Sequence, residues 1–165
     1  MAARDPMDPR SPDRDQPVKW GAVAYAGIAA GILSTLVQIA LWLVFTDGLP
    51  AILFRDARFA AAIVMGRVAL SLPETFDVEL MLVATLVHFA LSVAYGLILS
   101  RLIARLRTPS ALLVGAVFGL CLYIVNMHGF TIFFPWFDAT RDWITVVAHV
   151  TFGATAATAY KALST

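Results

Sequence analysis

"GIAAGILSTLVQ" (residues 27–38) returns later in the chain as "GAVFGLCLYIVN" (residues 115–126). Each holds two glycines four residues apart, Gly27 and Gly31 or Gly115 and Gly119. Seven residues after the second glycine comes a side-chain amide, Gln38 or Asn126. Seven residues make nearly two helical turns, so glycine and amide share a face. Small residues let membrane helices approach closely, which puts each amide on the stripe that faces another helix.

The two stretches are offset by 88 residues, and a second pair of landmarks is offset by 61. "FD" (Phe76, Asp77) precedes His88 by eleven residues, and "FD" (Phe137, Asp138) precedes His149 by eleven. His88, Ser92 and Gly96 step by four, as do His149 and Gly153. The difference between the offsets, 27, matches the length of one extra helix in the first copy. The chain therefore reads as a tandem duplication of a two-span hairpin. Both copies have the same orientation, so the repeat axis runs along the membrane normal. Many alternating-access carriers instead have inverted repeats.

Composition fixes the class. Of 165 residues 60% are hydrophobic and 14% charged, with mean hydropathy +0.80. Soluble domains are about 45–50% apolar and about 25% charged. A span needs about 20 mostly apolar residues, and four stretches qualify: about 20–46, 78–100, 109–134 and 143–162. The expectation is an all-α, four-span bundle, with Pro109 opening the third helix and Pro135 stopping it. Residues 1–18 carry four of the eight prolines and no aliphatic cluster, the composition of a disordered tail. Segment 49–72, "LPAILFRDARFAAAIVMGRVALSL", is apolar but broken by Arg55, Asp56, Arg58 and Arg67. It reads as an amphipathic helix on the outer leaflet.

Orientation follows from Lys and Arg. Eight lie in the tail, the 101–107 loop and the C-terminus; four lie on the other side, against seven acids. Both termini are expected on the cytoplasmic side. The four tryptophans sit near predicted span ends, where amphipathic rings suit the headgroup level. Net charge +1 and the lack of a basic stripe exclude a nucleic-acid partner. The single Cys121 excludes a disulfide framework. The lipid bilayer is the expected partner, with a second copy or a larger membrane complex beside it.

The candidate site is one polar layer. Gln38, His88, Asn126 and His149 all fall about 10–17 Å from the outer boundary at 1.5 Å per residue. Gly27, Gly31, Ser92, Gly96, Gly115, Gly119 and Gly153 provide the packing stripes around them. Amide–imidazole pairs would satisfy one another without water. The layer reads first as structural glue between helices. The alternatives are a path for protons or a small solute, since intramembrane ionisable groups mark such paths, and bis-histidine haem at His88 and His149. A divalent metal is a poorer fit, because zinc takes three or four protein ligands. His128 reads as a rim residue. No Gly-rich phosphate loop, HExxH or activated nucleophile occurs, so a non-enzymatic role is expected.

"VHFALSVAYGLIL" (87–99), "LLVGAVFGLCLYIVN" (112–126), "FPWF" (134–137) and "RDWITVVAHVTFG" (141–153) resemble small four-span proteins of proteobacterial inner membranes. Members are sometimes labelled sodium:proline symporter-like. The resemblance covers most of the chain after residue 20. It implies a bacterial inner-membrane location and no particular activity or site residues.

Overall fold

The computed structural model describes residues 19–71 and 73–164; the expected tail lies outside them. Five α-helices follow in order: α1 (Trp20–Phe45), α2 (Ala51–Met65), α3 (Val78–Ile103), α4 (Thr108–Ile124) and α5 (Trp143–Ser164). No strand occurs among the described residues. Three helical stretches are long and apolar enough to cross a membrane: Trp20–Phe45, Val78–Ile103 and Thr108–Ile132. The fourth expected span, α5, is also long but carries His149 and four threonines along its middle.

Helix ends obey local chemistry. Asp77 caps α3, accepting the Leu80 N–H at 3.0 Å. Asp142 caps α5, accepting the Thr145 N–H at 2.7 Å. These bonds satisfy amides that have no partner inside the helix. Asp138, the repeat counterpart of Asp77, does not cap; it sits in a 3₁₀ turn (Pro135–Thr140) and pairs with Arg141. The repeat landmark therefore marks different backbone in the two halves. α2 ends at Gly66, whose φ of 75° suits glycine and strains other residues.

Packing runs along the small-residue stripes. α3 lies on α1, α1 on α5, and α5 on α4, while α2 packs on α3. A Cβ on Gly27 would sit 2.7 Å from the Ser92 carbonyl oxygen and 2.9 Å from Val93 Cα. Gly115, Gly119 and Gly153 are tighter still: a Cβ on any of them would collide with backbone of the facing helix. The half of the bundle that holds Trp20 and Ser164, expected to be the inner one, is a close-packed core of Val23, Ala26, Leu99, Ile103, Ala111 and Tyr160, among others. Two polar contacts tie the chain ends there. Lys19 Nζ donates to the Ser164 carbonyl at 2.8 Å, and Lys161 Nζ to the Ala104 carbonyl at 3.4 Å.

Three outer features depart from the sequence reading. The helix in segment 49–72 forms, but it is more than a surface helix. Ala61 and Ala62 are buried, and Ala61 packs with Leu80 and Ala84 of α3. Arg58 is 4% exposed and faces Glu74 at 3.6 Å, so Arg55 and Arg58 do not share a solvated face. Trp42 is 4% exposed, and Trp136 donates its indole N–H to the Phe59 carbonyl at 3.1 Å. These two tryptophans pack within the protein, whereas Trp20 and Trp143 are exposed. Lastly, the third span changes geometry. α4 stops at Ile124, followed by a π turn at Val125–Gly129 and a 3₁₀ turn at Phe130–Ile132.

Gly119→Ala should cost about 1–3 kcal/mol, because a methyl group there displaces the α5 backbone. Gly21→Ala, with nothing within 4 Å of the added carbon, should change stability by less than about 0.5 kcal/mol. Thermal unfolding of the two variants in one detergent checks the contrast.

Candidate functional site

The π turn decides where the second half's polar layer points. A π turn widens the helix and occurs often at functional sites. Here it begins one residue before Asn126. The widening disturbs the carbonyl ladder, and carbonyls in a membrane must be satisfied from within the protein. Arg141 does this at Met127, donating from Nε to the Met127 carbonyl at 2.6 Å. The same guanidinium donates to Thr131 Oγ1 at 2.9 Å and pairs with Asp138. Thr140 Oγ1 adds a contact to the Met127 sulfur at 2.9 Å. The "DATRD" turn thus pins the π turn as well as capping α5.

Asn126 joins three helices. Its Oδ1 accepts from Tyr95 of α3 at 2.8 Å, and its Nδ2 lies 3.4 Å from His149 Nε2 of α5. His149 Nδ1 lies 2.8 Å from the Thr145 carbonyl. A carbonyl only accepts, so the ring proton is on Nδ1 and Nε2 presents its lone pair to the amide. Tyr95, Asn126, His149 and Thr145 therefore form one directed chain of hydrogen bonds. The edge of Tyr123 packs on His149, with ring centroids 5.8 Å apart. His128 is exposed and touches the other side of Tyr123, as a rim residue should.

The first half is built differently. His88 Nε2 lies 3.4 Å from Thr35 Oγ1, not against Gln38. Thr35 is nearly one turn closer to the close-packed stripe than Gln38. Gly31 brings α1 so near that an added Cβ would lie 3.0 Å from His88 Nε2. The imidazole therefore meets the residue one turn from the glycine and not the one two turns along.

All four expected residues border one cavity of about 320 Å³ in the outer half of the bundle. Its deepest lining residues are Ser34, Tyr95, Leu122 and Phe152. Leu122 and Phe152 also belong to the close-packed core, so the cavity ends blindly toward the inner side. Its roof is α2, through Asp56, Ala60 and Ile63, together with Phe130, Phe134 and Phe137. Phe59 and Phe137 lock the two parts of the roof, with ring centroids 6.1 Å apart. α3 and α4 barely touch, and the two exposed lining residues, Leu91 and Phe130, flank that gap.

Thr145 and Asp56 also line the cavity, and the sequence reading placed neither in the layer. Thr145 Oγ1 is buried with no hydrogen-bond partner. Asp56 sits beneath the roof and pairs with Arg55 at 2.8 Å. Its carboxyl is pushed up from 3.8 to about 6, chiefly by burial; Arg55 opposes the rise and Asp142 adds to it. No group of three or more metal-ligating side chains occurs among the described residues. Haem between His88 and His149 would first have to displace Thr35 and Asn126 from their Nε2 atoms.

No known protein family matches the chain, nor does any curated protein or solved structure.

Asp56 generates a pH dependence. Its folded pKa lies above its unfolded value, so the folded state binds the proton more tightly. The stability it contributes is full below about 3.8 and is lost as pH rises through about 6. At about 1.4 kcal/mol per unit, the loss is bounded near 3 kcal/mol. Native protein should unfold at a lower temperature at pH 7.5 than at pH 5, and Asp56→Asn should flatten that difference. Paired melting curves at the two pH values check it.

Proposed function

We propose that the protein is a four-span bundle, built from two similarly oriented hairpins, that holds a small molecule in its outer cavity without chemically altering it. The carrying observation is that Gln38, His88, Asn126 and His149, from four separate segments, border one blind cavity of about 320 Å³. That volume lies in the range of small-molecule sites, as does the mix of apolar walls and a few convergent polar groups. A blind inner end favours binding over a continuous channel.

The fourth span is supported by position. α5 packs between α1 and α4, and a helix shielded by its neighbours needs less apolar surface than one facing lipid. The repeat is supported by matched contacts. Gly27 meets Ser92 in the first hairpin, and Gly115 meets Gly153 in the second; these positions carry the offsets of 88 and 61. A bacterial inner membrane with both ends cytoplasmic follows from the basic residues and the resemblance. The α1 start and the α5 end share one side, where Lys19 bonds Ser164.

A second reading is a packing role alone, with no ligand: Tyr95, Asn126 and His149 already bond one another across three helices. Such bonds average about 0.6 kcal/mol in membranes. The two readings separate on washing. If the cavity holds a ligand, native mass spectrometry from mild detergent finds a retained small molecule, and exhaustive detergent exchange lowers the melting temperature. Ala148→Phe, which fills the cavity from a 5%-exposed wall position, should abolish both effects. A packing layer predicts no retained molecule and no loss on washing.

Topology has its own test. In a Cys121→Ser background, Asp47→Cys should react with a membrane-impermeant thiol reagent in spheroplasts. Arg105→Cys should react only after lysis.

A further inference from the structure

The cavity's unspent hydrogen bonds say what kind of molecule it takes. Resting on the ligand-holding reading, we infer that the ligand is an uncharged, largely apolar molecule bearing a hydrogen-bond-accepting carbonyl, which enters from the bilayer between α3 and α4. Four observations carry this.

The donors come first. Thr145 Oγ1 is buried without a partner on the cavity wall, and Thr145 itself is 4% exposed. A buried hydroxyl left unpaired costs about 1–3 kcal/mol, a cost that an occupant's acceptor removes. Asn126 uses its oxygen on Tyr95 and one amide hydrogen on His149, which leaves its second hydrogen to offer. The acceptor of His149 is already taken by Asn126. Both open positions can donate, and an acceptor on the ligand is what would engage the two together.

Charge comes second. Among the described residues, no Lys or Arg lines the cavity, and the one acid that does is Asp56. An anionic headgroup would enter with no counter-ion and with a carboxyl beneath the roof. A cation would have to compete with Arg55, which holds Asp56 at 2.8 Å. A neutral molecule meets neither penalty, and burying an unpaired charge is costly.

The walls are the third observation. Val87, Ile63, Phe134 and Phe137 make them apolar. The fourth is the route. The inner half of the bundle is packed, and α2 with the Phe134–Phe137 turn closes the outer end. The gap between α3 and α4, flanked by exposed Leu91 and Phe130, is lateral and faces the acyl chains.

Membrane quinones and acyl glycerides both carry such a carbonyl, and the test tells them apart. Detergent-washed protein is melted with a decyl-substituted benzoquinone, with monodecanoyl glycerol, and with decanoate above neutral pH, where it is ionised. The expected result is a rise in melting temperature with at least one neutral compound and none with decanoate; the compound that acts identifies the source. Thr145→Val keeps the side-chain shape, so it should melt no lower than the native protein unliganded. It should bind the active compound roughly three- to tenfold more weakly, the worth of one hydrogen bond. Leu91→Trp, which obstructs the gap, should slow association. A shift with decanoate equal to that of the neutral compounds overturns the ligand class while leaving a ligand-holding cavity in place. Undiminished binding by Thr145→Val also overturns it. Silence from all three compounds also overturns the ligand class, while the ligand-holding reading falls only if native mass spectrometry finds no retained molecule.

Discussion

The contact between α4 and α5 has no room for a methyl group, and the site depends on that intimacy. Gly115, Gly119 and Gly153 put the two backbones against each other. In hydrocarbon the hydrophobic effect does not drive helices together, so close van der Waals packing and interhelical hydrogen bonds must. Once Gly119 meets the His149 backbone, the register is set. Asn126, two turns further along, then comes opposite the His149 ring. The π turn supplies the remaining rotation, and Arg141 satisfies the Met127 carbonyl that the turn exposes. Tyr95, Asn126 and His149 answer one another, as a low-dielectric interior requires, and the Thr145 hydroxyl is left unpaired beside them.

That register was legible in the sequence, because glycine spacing and amide position obey the period of the helix. The helical class and the spans of α1 and α3 came from the same arithmetic, as did the expectation of one layer of Gln38, His88, Asn126 and His149, which all line the cavity. What stayed hidden was whatever depends on rotation or on tertiary partners. Nothing in "YIVNMHGF" announces a π turn, since its widening is stabilised by Thr140 and Arg141 more than a dozen residues away. Tyr95 looked like a packing residue until α3 and α4 were set apart at the distance its hydroxyl spans. Gln38 was matched to His88 by height alone, and Thr35 is the neighbour that the close approach selects. Segment 49–72 was readable as a helix, but its spacing could not say which face meets protein. Burying Arg58 beside Glu74 turns Asp56 toward the cavity.

The two halves also diverge in a way that makes the cavity. A twofold arrangement of hairpins would give α3 against α4 the same contact as α1 against α5. The second pair is fully packed and the first is nearly open. α1 and α5 meet through Ala26, Ala30 and Ala156, small residues that belong to one buried cluster. Between α3 and the π turn that follows α4, Tyr95 reaches across to Asn126 by a hydrogen bond. α2 packs on α3 and lines the cavity through Asp56, Ala60 and Ile63, so it roofs the space that this asymmetry leaves.

The two histidines do different work for the same reason. His149 has both nitrogens committed, one to the Thr145 carbonyl and one to Asn126. Taking up a second proton there would set two donors against each other at Nε2, so the ring is held in one tautomer and serves to orient Asn126. His88 is anchored by a hydroxyl, which rotates to donate or accept. Thr35 can follow a change at His88 where Asn126 cannot follow one at His149 without releasing Tyr95. Of the two histidines, His88 is therefore the one whose neighbour can rearrange around it. The second half keeps its hydrogen bonds fixed.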